Sequence, residues 1–126
     1  MRKIVKVGVI SRDAYQKRTI AIAKGEYKPE KNEPKIWFES LRSMSQVLGN
    51  ENQELLRIII EKHPRSLAEL EQLSGRKKAN LSRTLKTLER YGIVDLTQEK
   101  NRLVPKVRAT DFKVEFGLHY NAAFAS

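Results

Sequence analysis

The chain contains no cysteine and only two histidines among its 126 residues. Disulfide bonds and thiolate metal sites are therefore excluded, and a reducing compartment such as the cytoplasm is the simplest expectation. The histidines, His63 and His119, lie far apart in the sequence, and no acidic pattern frames either of them. We expect both to be structural, and we predict neither a metal site nor a cofactor.

Long apolar stretches and catalytic motifs are also missing. The longest apolar run falls far short of the roughly 20 residues that span a bilayer, and the N-terminus lacks the apolar region of a signal peptide. No phosphate-binding loop, nucleophile elbow or zinc-protease motif occurs, and the acidic residues form no obvious pair. The sequence therefore predicts a cytoplasmic protein without a membrane partner, catalytic residues or enzymatic activity.

What the chain has in excess is positive charge, with a net charge of +10. Residues 76–90 hold six Lys and Arg against the single acidic Glu89, whereas residues 51–75 hold three against five Glu. Such local concentration favours a polyanionic partner more strongly than uniform basicity would. A solvated surface that keeps the protein soluble is the alternative interpretation.

The segment from Arg76 to Tyr91 is the centre of this charge, and it predicts one helix. Leu81, Leu85 and Leu88 recur at helical spacing and form an apolar stripe. The opposite face collects small, polar and basic residues, namely Ala79, Asn80, Arg83, Lys86, Thr87 and Arg90. Cations at positions 76–78 crowd the helix start, where the helix dipole favours negative charge. A leucine back and a basic front with amide and hydroxyl groups suit the major groove of DNA.

Three helices precede this segment and a hairpin follows it in the predicted order. Residues 41–49 are expected to form a short helix closed by Gly49. Asn50 with Gln53 predicts a capping box at the start of the next helix. The buried stripe of that helix would be Leu55, Leu56, Ile59 and Ile60. Ser66 with Glu69 predicts a second capping box, for a helix that buries Leu67, Leu70 and Leu73 and ends at Gly75. After Gly92, residues 93–96 and 102–104 predict strands around a polar turn at 98–101. This is the order of a helix-turn-helix followed by a β-hairpin wing.

The terminal regions have weaker patterns. Residues 3–10 predict a strand, Ser11 or Asp13 caps a helix that ends at Gly25, and residues 26–35 predict a loop. The strand-like residues 36–40 contain the adjacent pair Trp37–Phe38, which we expect to pack in the core or against a second subunit. Residues 110–118 alternate as a half-buried strand does, and this strand would pair with the N-terminal strand or with a second subunit.

The predicted fold class is α+β: a winged helix-turn-helix with an N-terminal strand–helix extension and a C-terminal strand. The predicted parts are a strand–helix–strand extension at residues 1–40, the winged helix-turn-helix at 41–107, and a C-terminal strand and tail at 108–126.

The string from Gly75 to Gly92, with the pattern GRKxxNLSRTLKTLExYG, resembles winged-helix transcriptional regulators of bacteria and archaea. The resemblance covers residues 36–107. MarR- and ArsR-type repressors are looser relatives, and small DNA-binding proteins of the TumA antitoxin type are more similar. This resemblance implies a homodimer that binds double-stranded operator DNA, and for an antitoxin it also implies autorepression and capture of a cognate toxin protein.

Family members read DNA with the helix that corresponds to residues 77–91. Carried over by position, the resemblance implies base contacts by Asn80, Ser82, Arg83 and Thr87. It implies phosphate contacts by Arg76, Lys77, Lys78 and Lys86, with Thr84 nearer the buried side. Lys100 and Arg102 at the wing tip would contact phosphate or the minor groove. We add Arg90 to the DNA-binding set from its place on the basic face.

The sequence also allows other interpretations of these residues and other functions of the protein. Asn80 would also suit an ordinary solvated helix, Arg83 a surface ion pair, and Arg90 a pair with Glu89. A protein-interaction function is the second hypothesis, because residues 1–35 and 108–126 exceed a minimal winged helix. RNA binding is a third, although the chain lacks an aromatic RNP-like strand and a GXXG loop.

Overall fold

The computed structural model describes residues 2–118, and the predictions for His119 and the 119–126 tail lie outside this range. The described part is an α+β structure with five helices and two small sheets, as the sequence predicted at that level. Its elements are, in chain order, β1 (Ile4–Val9), α1 (Arg12–Ala23), β2 (Ile36–Phe38), α2 (Leu41–Val47), α3 (Asn50–Lys62), α4 (Leu67–Ser74), α5 (Lys78–Arg90), β3 (Val94–Glu99), β4 (Arg102–Val107) and β5 (Asp111–Glu115).

These elements fall into two units. The first unit contains residues 47–110 with the chain start up to Lys3, and the second contains residues 4–46 with the chain from Asp111 onward. The predicted boundaries at 41 and 108 differ from these positions. The three predicted parts become two because the C-terminal strand β5 pairs with β1, which joins two segments that are distant in sequence.

In the first unit, three helices of 13, 8 and 13 residues are followed by the antiparallel hairpin β3–β4. The core consists of the side chains that the helical periodicity selected together with the start of the hairpin. It contains Leu55, Leu56, Ile59, Leu67, Leu70, Leu81, Leu85, Leu88, Ile93, Val94 and Val104. Ile60 and Leu73, which the periodicity also assigned to buried stripes, are exposed. They lie at the margin of their stripes, where the helix surface turns toward solvent.

The helix caps follow the sequence at α4 and differ at α3. Ser66 Oγ accepts a hydrogen bond from the Glu69 amide at 3.0 Å, as predicted, while the Glu69 carboxylate accepts from the Arg65 amide at 3.4 Å. The predicted cap at Asn50 is wrong, because Gly49 occupies the cap position with extended backbone and Asn50 is already helical. Gly49 is therefore the N-cap that precedes α3. It does not close α2, which ends at Val47. The Gln53 side chain donates instead to the Leu48 carbonyl at 2.7 Å.

The hairpin also has a tighter turn than predicted. Gln98 and Glu99 continue β3, so only Lys100 and Asn101 connect the strands, with φ of 50° and 64°. Two successive left-handed residues match the twist of a two-residue hairpin, and asparagine tolerates that conformation. Pro105 lies within β4, which its missing amide hydrogen permits because β4 is an edge strand in this two-stranded sheet.

In the second unit, β1 is the middle strand of a parallel sheet with the order β2-β1-β5. Helix α1 connects β1 to β2, and Ser11 caps it by accepting a hydrogen bond from the Ala14 amide at 3.1 Å. The pairing of the C-terminal strand with the N-terminal strand was one of the two predicted alternatives. The predicted half-buried state holds at Phe112 and fails beyond it, since Val114 in β5 and Phe116 just after it are 49% and 54% exposed.

The aromatic pair in β2 packs within this unit. Phe38 is buried, and Trp37 is half-buried with the Arg18 guanidinium carbon 5.0 Å from its ring centroid. Arg18 also donates to Glu33 at 2.8 Å. Gly8 is the cross-strand partner of Trp37 and leaves room for the indole ring.

We expect Gly8→Ala to lower the free energy of unfolding of this unit by about 1–2 kcal/mol, the lower part of the usual cost of overpacking, because the half-buried indole can shift. An added Cβ would lie 2.6 Å from Trp37 Cζ3 and 2.8 Å from Pro34 Cγ. Denaturant titration followed by tryptophan fluorescence measures this, since Trp37 is the only tryptophan.

Gly117→Ala is the matched control, because among residues 2–118, apart from the two chain neighbours, no heavy atom lies within 4 Å of a Cβ added there. Equal midpoints for Gly8→Ala and the wild type would mean that the close approach of Gly8 and Trp37 is unimportant for stability.

Candidate nucleic-acid interface

The basic helix α5 begins two residues later than the sequence pattern suggested. Lys77 is the N-cap with extended backbone and no side-chain cap hydrogen bond, and Lys78 is the first helical residue. Tyr91 is the C-cap, and Gly92 follows with φ of 81°. The Lys78 amide donates to Glu71 Oε2 at 3.1 Å, so a carboxylate of α4 supplies the negative charge that the helix start favours, beside the two lysines.

The structure separates the two faces of α5 as the periodicity predicted. Leu81, Leu85 and Leu88 are fully buried. On the other side, six predicted DNA-contact residues of the helix and its cap are exposed, namely Lys77, Lys78, Asn80, Arg83, Lys86 and Arg90. Ser82 and Thr87 flank this surface and are half-buried. The Thr87 hydroxyl donates to the Arg83 carbonyl at 3.1 Å, so its oxygen remains available as an acceptor.

The cations of this face are not neutralised by acidic neighbours. Within residues 2–118, no carboxylate lies within 4.0 Å of Arg83, Lys86 or Arg90, although seven other ion pairs occur there. The alternative interpretations of Arg83 as a surface ion pair and of Arg90 as a partner of Glu89 therefore find no support in the described residues. Unpaired cations on a rigid helix keep their electrostatic attraction for an external anion.

Arg76, for which the resemblance implies a phosphate contact, is hydrogen-bonded to three side chains of its own unit. Its guanidinium donates to Asn80 Oδ1 at 2.8 Å, to Thr84 Oγ1 at 3.0 Å and to Asn52 Oδ1 at 3.3 Å. These bonds connect the start of α5 to α3, so Arg76 orients the helix within the unit. A sequence pattern identifies the charge of Arg76, but the partner Asn52 is 24 residues away and becomes visible only in the folded chain.

The Arg76 bond also orients the Asn80 side chain. Because Arg76 can only donate, the Asn80 atom that it contacts is the amide oxygen, and the Nδ2 group is left as the donor of this exposed side chain. An amide oxygen has two lone pairs, so Asn80 retains the capacity for a bidentate contact with adenine.

The hairpin tip adds two more exposed cations, Lys100 and Arg102. Glu99, the acidic residue beside them, forms an ion pair with Lys106 at 3.2 Å and accepts a hydrogen bond from Thr97 at 3.1 Å. The hydrogen bond from Lys106 lowers the pKa of the Glu99 carboxyl. The negative charge of Glu99 is thus compensated by Lys106, which leaves Lys100 and Arg102 without an acidic partner in the described part of the chain.

A concave surface brings the hairpin tip close to the starts of two helices. Lys78 at the start of α5, Arg102 and Asn101 of the hairpin, and Ser66 at the cap of α4 line the same hollow. The cations Lys78 and Arg102 attract phosphate oxygens by their charge, whereas backbone amides at both helix starts already donate to side chains, that of Glu69 to Ser66 Oγ and that of Lys78 to Glu71. Ser66 is a residue of this surface that the DNA-contact prediction missed, although its capping box marked the helix start.

The first unit corresponds to a known sequence family. The model of the family described as HVO_A0114 matches residues 47–114, just over half of the chain. The chain belongs to the HVO_A0114 family.

The HVO_A0114 match includes all of α3, α4, α5 and the hairpin, and it ends within β5. No curated protein and no solved structure matches the chain. Among residues 2–118 no group of three or more His, Asp and Glu side chains is arranged to hold a metal ion, and no helix is long and apolar enough to cross a membrane.

Proposed function

We propose that this protein is a sequence-specific regulator of transcription that binds double-stranded DNA as a winged helix-turn-helix. One observation carries the proposal: α5 has a fully buried leucine back and an exposed face of unpaired cations with amide and hydroxyl groups. A helix of this kind fits the major groove, and the hairpin β3–β4 that follows it serves as the wing.

The side chains of α5 and its cap divide into two classes by their chemistry. Arg83 can form two hydrogen bonds with guanine O6 and N7, and Asn80 can do the same with adenine N6 and N7. Ser82 and Thr87 offer single hydrogen bonds at the margins of the face. The lysines act on phosphate, which supplies affinity and register without reading sequence; these are Lys77, Lys78 and Lys86, with Arg90 at the helix end.

At the wing, Lys100 and Arg102 extend the contact to the adjacent phosphates or to the minor groove. In this proposal the hollow between the wing tip and α5 receives a DNA phosphate beside the side-chain cations Lys78 and Arg102, which line it. This arrangement assigns Arg76 to positioning Asn80 and Thr84, so its substitution would affect binding through the geometry of α5.

The regulator acts, in this proposal, as a cytoplasmic homodimer that represses transcription by occupying a promoter. Symmetric dimers bind two half-sites separated by about one turn of DNA, and their operators are palindromic. Selection of bound duplexes from a random pool tests this directly. We expect enrichment of a palindrome with half-sites about 10 base pairs apart. Failure to enrich any sequence, or better competition by structured RNA than by duplex DNA, would contradict the proposal.

The salt dependence of binding tests the phosphate role of Lys86 separately. We expect Lys86→Ala to reduce the slope of log K against log salt concentration by about 1 and to weaken all DNA sequences equally. Fluorescence anisotropy at several salt concentrations measures both quantities. Lys28→Ala removes the same charge from the exposed loop before β2 and should leave the slope unchanged. A slope change of equal size for both variants would reduce the role of Lys86 to general charge.

A second candidate is an antitoxin that captures a cognate toxin protein and autoregulates its operon. The observation in its favour is the second unit, most of which lies outside the HVO_A0114 match and is not needed for a DNA-binding helix. Co-purification with the product of an adjacent gene tests this candidate. Retention of that partner by a chain with substitutions throughout the second unit would remove the basis for it.

A further inference from the structure

Strand β5 presents an apolar strip at the edge of its sheet. It has β1 as its one neighbour in the sheet order β2-β1-β5, so its other side has no partner strand among residues 2–118. Val114 is 49% exposed, Phe116 54% and Leu118 83%. Edge strands of stable proteins are usually short, charged or covered, because an apolar edge is a template for pairing. We therefore expect another strand to pair with this edge.

The sequence of β5 identifies the partner through its symmetry. Phe112, Val114 and Phe116 alternate with Lys113 and Glu115, so the apolar and charged side chains lie on opposite faces. An antiparallel copy centred on Val114 brings Lys113 opposite Glu115 twice, and with the pairing extended one residue past the end of β5 it also brings Phe112 opposite Phe116 twice. Opposite charges and paired aromatic residues are both favourable across antiparallel strands.

We propose that β5 pairs antiparallel with β5 of a second copy of this chain, which joins two three-stranded sheets into one sheet of six strands. Each residue then contacts its counterpart reciprocally, as a two-fold interface requires. Another protein would not be expected to have this self-complementary pattern. The inference identifies an interface for the homodimer and does not require that the protein bind DNA.

Other registers of the two strands form fewer favourable cross-strand pairs of side chains. A shift by one residue would place charged and apolar side chains on the same face. Centring the pair on Phe112 brings Lys113 opposite Asp111 but leaves Phe116 outside the paired region. The ion pair of Glu115 with Lys6, at 3.5 Å, leaves the Glu115 side chain 49% exposed and accessible to a second cation.

The molar mass of the full chain in the absence of DNA tests the interface. Light scattering after gel filtration should give twice 14.6 kDa for the wild type. Val114→Arg should give the monomer mass, because the two arginines would meet at the two-fold axis. Ile20→Arg is the matched control, since Ile20 is 47% exposed on α1, and this variant should remain a dimer. Circular dichroism of each variant establishes that it is folded.

Charge reversal tests the register. Lys113→Glu and Glu115→Lys should each raise the dimer dissociation constant about tenfold or more, because like charges then face each other at two places. Mixing the two variant chains should restore dimers, since every 113–115 pair then combines opposite charges. The double variant Lys113→Glu with Glu115→Lys should also dimerise like the wild type.

Three results would overturn the proposal. A monomeric wild type at tens of micromolar would mean that another segment or another protein covers β5. A dimer that survives Val114→Arg would place the interface elsewhere. Equal dimerisation of the mixed and unmixed charge variants would exclude the register. Because all these measurements omit DNA, their failure would leave the proposed DNA binding untouched, and failure of DNA selection would leave the dimer untouched.

Discussion

Leu85→Ala is expected to lower the free energy of unfolding of the first unit by about 2–5 kcal/mol. Leu85 is fully buried on the inner side of α5, between Leu81 and Leu88. Truncation removes apolar contacts and leaves a cavity that the surrounding helices only partly fill. Since small domains are stable by only about 5–15 kcal/mol, this one change would consume a large part of the total. Urea titration followed by circular dichroism at helical wavelengths measures the loss.

Leu73→Ala provides the matched control for this prediction. The substitution is chemically identical, but Leu73 lies on α4 and is 40% exposed. Its effect should be clearly smaller, because a half-exposed side chain loses less transfer free energy and leaves no closed cavity. If Leu85→Ala and Leu73→Ala lower the free energy of unfolding equally, the leucine face of α5 is not as important for stability as we expect.

Arg83→Ala is expected to weaken binding to the selected DNA by about 1–3 kcal/mol, which is roughly 5- to 150-fold in the dissociation constant. Arg83 is exposed in the middle of α5 and has no carboxylate within ion-pair distance in the described chain. Its loss should also relax the preference at one base position per half-site, since a bidentate contact specifies one guanine. Gel shifts and a repeated pool selection with the variant measure the two effects.

Arg42→Ala is the control for this substitution, because Arg42 is an exposed arginine on α2 with the same charge. That variant should bind the selected DNA nearly as the wild type does. Unfolding measurements separate a lost contact from a lost fold, and Arg83→Ala should match the wild type in stability because the side chain is at the surface. Wild-type affinity of Arg83→Ala for the selected duplex would refute the assignment of Arg83 to base reading.

The helices around α5 could be predicted in detail because their information is local. The leucine spacing in α5, the Ser66 cap of α4 and the glycine after α5 each depend on residues within a few positions of one another. The predicted position of the α3 cap was wrong by one residue, because Gly49 adopts extended backbone and serves as the cap without a side-chain hydrogen bond. Both asparagine and glycine are favoured at such positions, so the local pattern did not distinguish them.

Local sequence patterns did not predict contacts between residues that are distant in the sequence. The resemblance implied a phosphate contact for Arg76, and it did not indicate that the folded chain bonds Arg76 to oxygens of Asn52, Asn80 and Thr84. The alternation in β5 correctly predicted a strand, but it did not predict that the apolar side chains lie at an exposed edge. Periodicity shows which residues share a face, and only the neighbours of that face decide whether it is buried.

The amino-acid sequence by itself determined the order of helices and hairpin, the buried leucines of α5 and the basic surface opposite them. These features follow from the spacing of apolar residues and from turn chemistry, which act over one or two turns of the chain. The tertiary structure alone decided that β5 joins β1, that Arg76 is held by α3, and that Lys106 compensates Glu99 at the hairpin tip. Each of these depends on residues brought together from separate elements, and such proximity is a property of the packed chain rather than of any short stretch of it.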